Sequence, residues 1–222
     1  MIEAVVFDFD GLILDTETPL HCSWHEIYEK HGLTVLESEW AAMIGSSADP
    51  VEAYELLERH LGHPIDRVAV REQRRRRETE LLEDEQVMPG VQRLIQDAIA
   101  QEIRLAVASS SDREWVVGHL QRIGLLERFE AIVCAEDVPV TKPSPDLYMA
   151  ALRLLGVSPD RAMAFEDSVH GVRAAKAAGL YCIAVPNKVT RHLAFPTADR
   201  VVDTLAGHRL AEFIAVAEAD RS

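Results

Sequence analysis

The sequence predicts an α/β protein: a parallel sheet covered on both faces by helices, with a purely helical segment inserted after the first strand. Three observations predict this. From Val87 onward, short apolar runs alternate with amphipathic helical patterns, the signature of strand–helix–strand units. Near the start, an isolated apolar run over residues 4–9 must join that sheet, or its side chains would be orphaned. Between the two, residues from about 17 to 85 carry helical periodicity alone, as in Trp24 to His31 and Pro50 to His60.

The second half can be read element by element. Ile103 to Ala108 predicts a buried strand, and Ser111-Asp112-Arg113-Glu114 a capping box that opens a helix running to Gly124. Ala131 to Ala135 is the next strand, and Pro145 begins a helix that ends near Gly156. Ala162 to Phe165 is a strand, Ser168 to Ala178 a helix closed by Gly179, and Cys182 to Val185 a further strand. The domains expected are a core of residues 1–16 and 87–222 and a helical insert of residues 17–86.

Composition narrows the class. At 222 residues with 48% hydrophobic content, the chain can bury a sizeable core. The net charge of −14 argues against nucleic acid, whose affinity rests on contacts between cationic side chains and phosphate. The one basic cluster, Arg71 with Arg74 to Arg77, is interleaved with glutamates and reads as the solvated face of a helix, contact with an anionic substrate being the alternative. No apolar run approaches the roughly 18 residues of a membrane span. No basic segment precedes an apolar stretch near Met1, so a cytoplasmic protein is expected. Cys22, Cys134 and Cys182 have neither zinc spacing nor a disulfide framework and read as reduced thiols.

In open parallel sheets, ligands bind beyond the carboxyl ends of the strands. Those ends carry Asp8-Phe9-Asp10-Gly11, Ser109-Ser110-Ser111, Thr141-Lys142-Pro143 and Glu166-Asp167-Ser168. Each of these residues could merely cap the next helix, but caps alone do not account for the lysine and the doubled carboxylates. Carboxylates crowded together need a cation, and Mg²⁺ is the hard, oxygen-seeking ion that also pairs with phosphate. Asp8 and Asp10, two residues apart, would share one face if the strand end stays extended, and Gly11 would let the chain turn away.

The run Asp8-Phe9-Asp10-Gly11-Leu12-Ile13-Leu14-Asp15-Thr16-Glu17 resembles the first motif of the haloacid dehalogenase superfamily. Ser109, Lys142-Pro143 and Glu166-Asp167 resemble its second, third and fourth, in order. The resemblance spans the chain. It implies a Rossmann-like parallel-sheet core with an inserted helical cap domain, and a Mg²⁺-dependent phosphatase acting on a small phosphorylated metabolite. It implies that Asp8 is the nucleophile, becoming an aspartyl phosphate, and that Asp10 is the general acid and then the base. Ser109 would bind the phosphate and Lys142 would neutralise charge. Mg²⁺ would bind Asp8, the Asp10 carbonyl and Asp167, with Glu166 in or just behind the ligand set. Cap-bearing members of this branch are often monomers.

Within the superfamily the chain is most similar to the sugar-phosphatase and β-phosphoglucomutase-like branch. The second aspartate, Asp10, argues against a dehalogenase, and the phosphonatase branch would need Lys30 as its cap lysine. The stretch Asp15 to His21 is one residue longer than usual, which shifts His21, and Ile44 to Asp49 lacks the arginine with which the mutases grip a distal phosphate. Both departures favour a phosphatase over a mutase. A non-catalytic aspartyl-phosphate switch is the rival of a different class, but it has no use for Asp10.

Gly11, Ser110 and His21 join the candidate substrate-binding residues, with Gly45 and Ser46 as part of a specificity loop in the cap. His21 and His25, spaced i, i+4, read first as neighbours on one helix face, metal binding being the alternative; His170 reads as facing the site entrance or as a surface residue at a helix start; and Trp24, Trp40 and Trp115 read as packing residues ahead of substrate binding.

Overall fold

The structure is a computed structural model and describes residues 1–34 and 51–221, with only the backbone of Val51 and Glu52. The chain divides into two compact units, one of residues Met1–Leu14 with Gln86–Ser222 and one of Asp15–Glu85.

The first unit is built on six parallel strands: β1 (Ala4–Phe7), β2 (Arg104–Ala108), β3 (Ala131–Val133), β4 (Ala162–Glu166), β5 (Tyr181–Ala184) and β6 (Arg200–Val201). Their order across the sheet is β3-β2-β1-β4-β5-β6. β1 is therefore central, paired with β2 and with β4, and Phe7 stands beside both Val107 and Phe165. Strand order runs outward from β1 in both directions, which makes the carboxyl ends of β1 and β4 the switch point of the sheet.

Each central strand is buried on both faces, which explains its unbroken apolar sequence. One face puts Ala4, Val6, Ala106, Ala108, Ala162 and Ala164 into a core with Leu147, Tyr148, Leu152 and Leu155 of helix α6 (Asp146–Leu155) and with Val172 and Ala175 of α7 (Val169–Ala177). Small alanines on the strands let those helices approach closely. On the other face, Phe165 stacks on Phe7 at 5.3 Å and meets Phe213 of helix α8 (Leu210–Arg221) edge-on at 5.2 Å. Helix α4 (Val91–Ala100) packs against β2 and α8. The two-residue β6 and the helix α8 went unread in the sequence. β6 has both residues exposed, and α8 is apolar with little sidedness, so neither carries a clear period.

Helix α5 (Arg113–Arg122) does not begin with the expected capping box at Ser111. Its cap is Asp112, whose side chain accepts from the Trp115 N–H at 2.8 Å. Ser111 has another partner, described below.

The second unit contains α1 (Glu17–Lys30), α2 (Val51–Leu61) and α3 (Arg67–Leu82). Trp24 lies at its centre, edge-on to Tyr54 at 4.8 Å and surrounded by Leu20, Ile27, Tyr28 and Leu57. The basic cluster is not one solvated face. Arg75 and Arg76 are exposed, but Arg74 is 1% exposed, lies 5.8 Å above the Trp24 ring and bonds Glu78 at 2.6 Å. A guanidinium is weakly hydrated and stacks on aromatic rings, so arginine tolerates this burial where lysine would not. Arg77 bridges to Glu26 on α1 at 2.9 Å. Among the described residues, no helix is long and apolar enough to cross a membrane.

Phe165 is fully buried between two rings and stands one residue before Glu166. Phe165→Ala is predicted to cost about 3–5 kcal/mol of stability, read from the urea midpoint at unchanged slope. A loss under about 1 kcal/mol would mean that this face of the sheet is not tightly packed.

Candidate active site

Asp8 follows β1, Glu166 ends β4, and these are the paired strands at the switch point. Lys142, from the loop after β3, reaches between them. Its ammonium donates to Asp8 Oδ1 and, at 2.6 Å, to Glu166 Oε1. The Lys142 side chain is 7% exposed and that of Glu166 is fully buried. Tyr148 O–H donates to the same Glu166 oxygen at 2.8 Å. The other oxygen accepts from the Asp167 N–H at 3.0 Å and from the N–H and the hydroxyl of Ser168, each at 3.1 Å. Gly171 makes room for this, since a Cβ there would collide with the Glu166 carboxylate.

Burial shapes the electrostatics. It pushes the Asp8 carboxyl up to about 7, the Glu166 charge adds to this, and Lys142 pulls the other way. Burial works against the Lys142 charge too, but the facing Asp8 and Glu166 carboxylates outweigh it and raise its pKa above the usual lysine range.

Asp10 is handled separately. Past Phe7, where β1 ends, Asp8 still pairs with the neighbouring strand, its N–H donating to the Phe165 carbonyl at 3.0 Å. Phe9, between Asp8 and Asp10, is fully buried, and Gly11 turns the chain at φ 76°. Asp10 Oδ2 accepts from the Ser109 hydroxyl at 3.0 Å and the Ser111 hydroxyl at 2.8 Å. Asp10 Oδ1 accepts from the Trp115 indole N–H at 2.9 Å. Trp115 is thus more than a packing residue. His119 meets its ring at 4.4 Å and stacks on Phe9 at 6.4 Å, which ties the indole to the buried strand end.

The remaining candidates divide. Gly11 donates its N–H to the Leu14 carbonyl at 2.8 Å, so what it offers the site is space: a Cβ would run into the Asp167 carboxylate and the Asn187 amide. Ser110 Oγ is shielded from solvent and has no hydrogen-bond partner. His170 is half-buried, with a shielded Nδ1 that also lacks one. His21 belongs to the second unit, with its ring 6.2 Å from that of His25 on α1. Gly45, Ser46, Ser47 and Trp40 lie outside the described residues.

Carboxylate oxygens of Asp8, Glu166 and Asp167 all lie within 4.8 Å of one another. One lysine faces these three buried acids, a deficit of positive charge that a divalent cation would correct. The oxygen-only donor set fits a hard cation such as Mg²⁺. Both Glu166 oxygens are already taken by donors, so Asp8 and Asp167 are the carboxylates better placed to bind it, with Glu166 behind them.

Sequence reasoning missed Ser111, Trp115, Tyr148 and Asn187. A signal existed for the first two, because an indole N–H and a third hydroxyl stand directly after the Ser109 strand end. Tyr148 and Asn187 have none, since only the folded sheet brings them to Glu166 and Asp167.

The family model for haloacid dehalogenase-like hydrolases matches residues 5–185, and the chain belongs to that family. It is 44% identical over 211 residues to the protein YhcW of Bacillus subtilis, covering 95% of this chain and 96% of that one. It is 31% identical over 182 residues to a phosphorylated carbohydrates phosphatase of Thermotoga maritima, covering 81% and 82%. Among solved structures, a CbbY mutant from Rhodobacter sphaeroides in complex with xylulose-(1,5)-bisphosphate matches with a TM-score of 0.78 and 34% identity, covering 95% of this chain and 98% of that one. The protein is a hydrolase of this family.

The raised Asp8 pKa has a measurable sign. An unfolded chain loses this proton near the ordinary 3.8 and the folded chain only near 7, so over that interval the folded state binds more protons and stability falls as pH rises. In chelator, wild type is predicted to lose thermal stability relative to Asp8→Asn as pH is raised from about 4 to about 7. A difference that stays constant across this range would show that Asp8 titrates as an ordinary exposed carboxylate.

Proposed function

We propose that the protein is a Mg²⁺-dependent phosphatase that hydrolyses a small phosphomonoester, foremost a sugar phosphate, through an aspartyl phosphate on Asp8. The observation that carries this is the pair of differently held aspartates at one strand end: Asp8 against Lys142 and two further acids, Asp10 against hydroxyls and an indole. The relatives named above support the substrate class.

Asp8 attacks phosphorus, and the bond from phosphorus to the ester oxygen breaks. Asp10 gives its proton to the departing alkoxide, then takes one from the water that attacks the phosphorus of the aspartyl phosphate. That attack breaks the bond between phosphorus and the Asp8 oxygen and releases inorganic phosphate. Ser109, Ser110 and Lys142 bind the phosphoryl oxygens, and the unpartnered Ser110 hydroxyl is a donor available for one of them. Mg²⁺, bound by Asp8, the Asp10 carbonyl and Asp167, would favour the ionised Asp8 and offset charge on the phosphoryl group.

Residues 17–86 are read as a cap that excludes water and selects the leaving group, with His21, Gly45 and Ser46 as its candidate contributions. The functional unit is read as a monomer, as is common among cap-bearing members of the branch that the sequence resembles.

The test is phosphate release from a panel of sugar phosphates and other small phosphomonoesters, with Mg²⁺ and with chelator. Turnover should require Mg²⁺ and fall roughly 10³-fold or more in Asp8→Asn. Conversion of one sugar phosphate into an isomer without phosphate release would replace this reading with a mutase. A stable phosphate on Asp8 without turnover would replace it with a switch. Trp115→Phe keeps the ring and removes the bond to Asp10. It is predicted to lower kcat roughly tenfold with little change in KM, a part of the 10²–10⁴ that general acid–base catalysis contributes. A changed KM at constant kcat would place Trp115 in binding instead.

A further inference from the structure

We infer that Asn187 is a positioning residue for the cation: its amide holds Asp167 in place from behind without cancelling the charge that attracts the ion. The inference rests on the Mg²⁺-dependent reading above and deepens it.

The orientation of the Asn187 amide follows from its neighbours. Its Oδ1 accepts from the N–H groups of Val189 at 2.8 Å and Thr190 at 3.0 Å, and from the Thr190 hydroxyl at 3.3 Å. Turning the amide over would set its NH₂ against two backbone donors that cannot accept. The NH₂ group must therefore face the other way, where it meets Asp167 Oδ2 at 2.7 Å and the Gly11 carbonyl at 3.4 Å. The Asn187 backbone is fixed as well, since its N–H donates to Thr190 Oγ1 at 3.0 Å. Asn187 is 6% exposed, Thr190 1% and Asp167 2%. Water has little access to this side of the Asp167 carboxylate, so the amide takes the place a water would hold.

The neutrality of the amide matters. Lys142 already neutralises part of the acid cluster, and a second ammonium behind Asp167 would compete with the cation for the same charge. An amide N–H fixes the orientation of the carboxylate and leaves its charge intact. The same NH₂ group touches the Gly11 carbonyl, so Asn187 ties the turn after Asp8 to the opposite wall of the site. Gly11 is required here because a Cβ would overlap both the Asp167 carboxylate and the Asn187 amide.

Partners of this kind typically change metal affinity ten- to a hundredfold. The test is Mn²⁺ binding to the full chain without substrate, read from the free-Mn²⁺ electron paramagnetic resonance signal, with Mg²⁺ as competitor. Asn187→Ser keeps an acceptor near the Val189 and Thr190 N–H groups but is too short to reach Asp167. Asn187→Ala is its companion should the first variant fold poorly. The expected result is a dissociation constant raised about ten- to a hundredfold, with most of kcat recovered at saturating Mg²⁺. Thr190→Val loosens the same loop without touching the amide–carboxylate bond, and should lower the melting temperature while shifting the constant less than about threefold, well below that range. A constant within twofold of wild type in the Asn187 variants would overturn the inference, as would an equal loss in Thr190→Val. Asp167→Ala separates the two claims. If it binds Mn²⁺ as wild type does, the cation reading fails and this inference with it. If it binds weakly while Asn187→Ser binds normally, only the inference fails.

Discussion

A single ammonium group holds together a set of acids that would otherwise drive the strand ends apart. Lys142 stands between Asp8 and Glu166 on adjacent strands, nearly out of reach of water. Five donors meet the two oxygens of the fully buried Glu166 carboxylate. Such a network is worth having only when it is complete, since a buried charge stripped of its partner costs several kcal/mol. The need for completeness explains the tight details around it: Gly171 without a Cβ, Tyr148 aimed at the carboxylate, and Ser168 capping α7 while it also donates to Glu166.

From that constraint follows the difference between two aspartates two residues apart. Asp8 is buried, faces a lysine and shares its surroundings with other acids, and its proton affinity is high. Asp10 faces neutral donors only: two hydroxyls and an indole. The contrast lies in the partners that the folded chain brings to each carboxylate, Lys142 to Asp8 and Ser109, Ser111 and Trp115 to Asp10. A site that must run nucleophilic attack and proton transfer side by side benefits from two carboxylates in unlike surroundings.

The helical unit shows the same rule in a different setting. Arg74 is buried at its centre against Trp24 and Glu78, while Arg75 and Arg76 beside it stay in solvent. Helical geometry turns neighbouring residues by about 100°, so adjacent arginines cannot share one environment. Charge is tolerated inside this protein wherever a partner of matching shape meets it.

Much was legible in the sequence, for identifiable reasons. The buried central strands announce themselves because parallel strands covered on both faces carry continuous apolar runs, as in Ala4 to Phe7 and Ala162 to Phe165. Asp8, Asp10, Ser109 and Glu166-Asp167 were readable because each sits at or just beyond a strand end, and Lys142 because it stands in the loop after β3, where a sheet of this kind presents its ligands. Tertiary structure alone decided which partner each of them takes. Nothing local says that Ser111 leaves its expected cap for Asp10, that Trp115 donates to the same carboxylate, or that Asn187 stands behind Asp167. These contacts span 20 to 105 residues of chain and come from side chains with no periodic signature. Periodicity reports which face of an element is buried; only the packed sheet sets which donors converge on one oxygen atom.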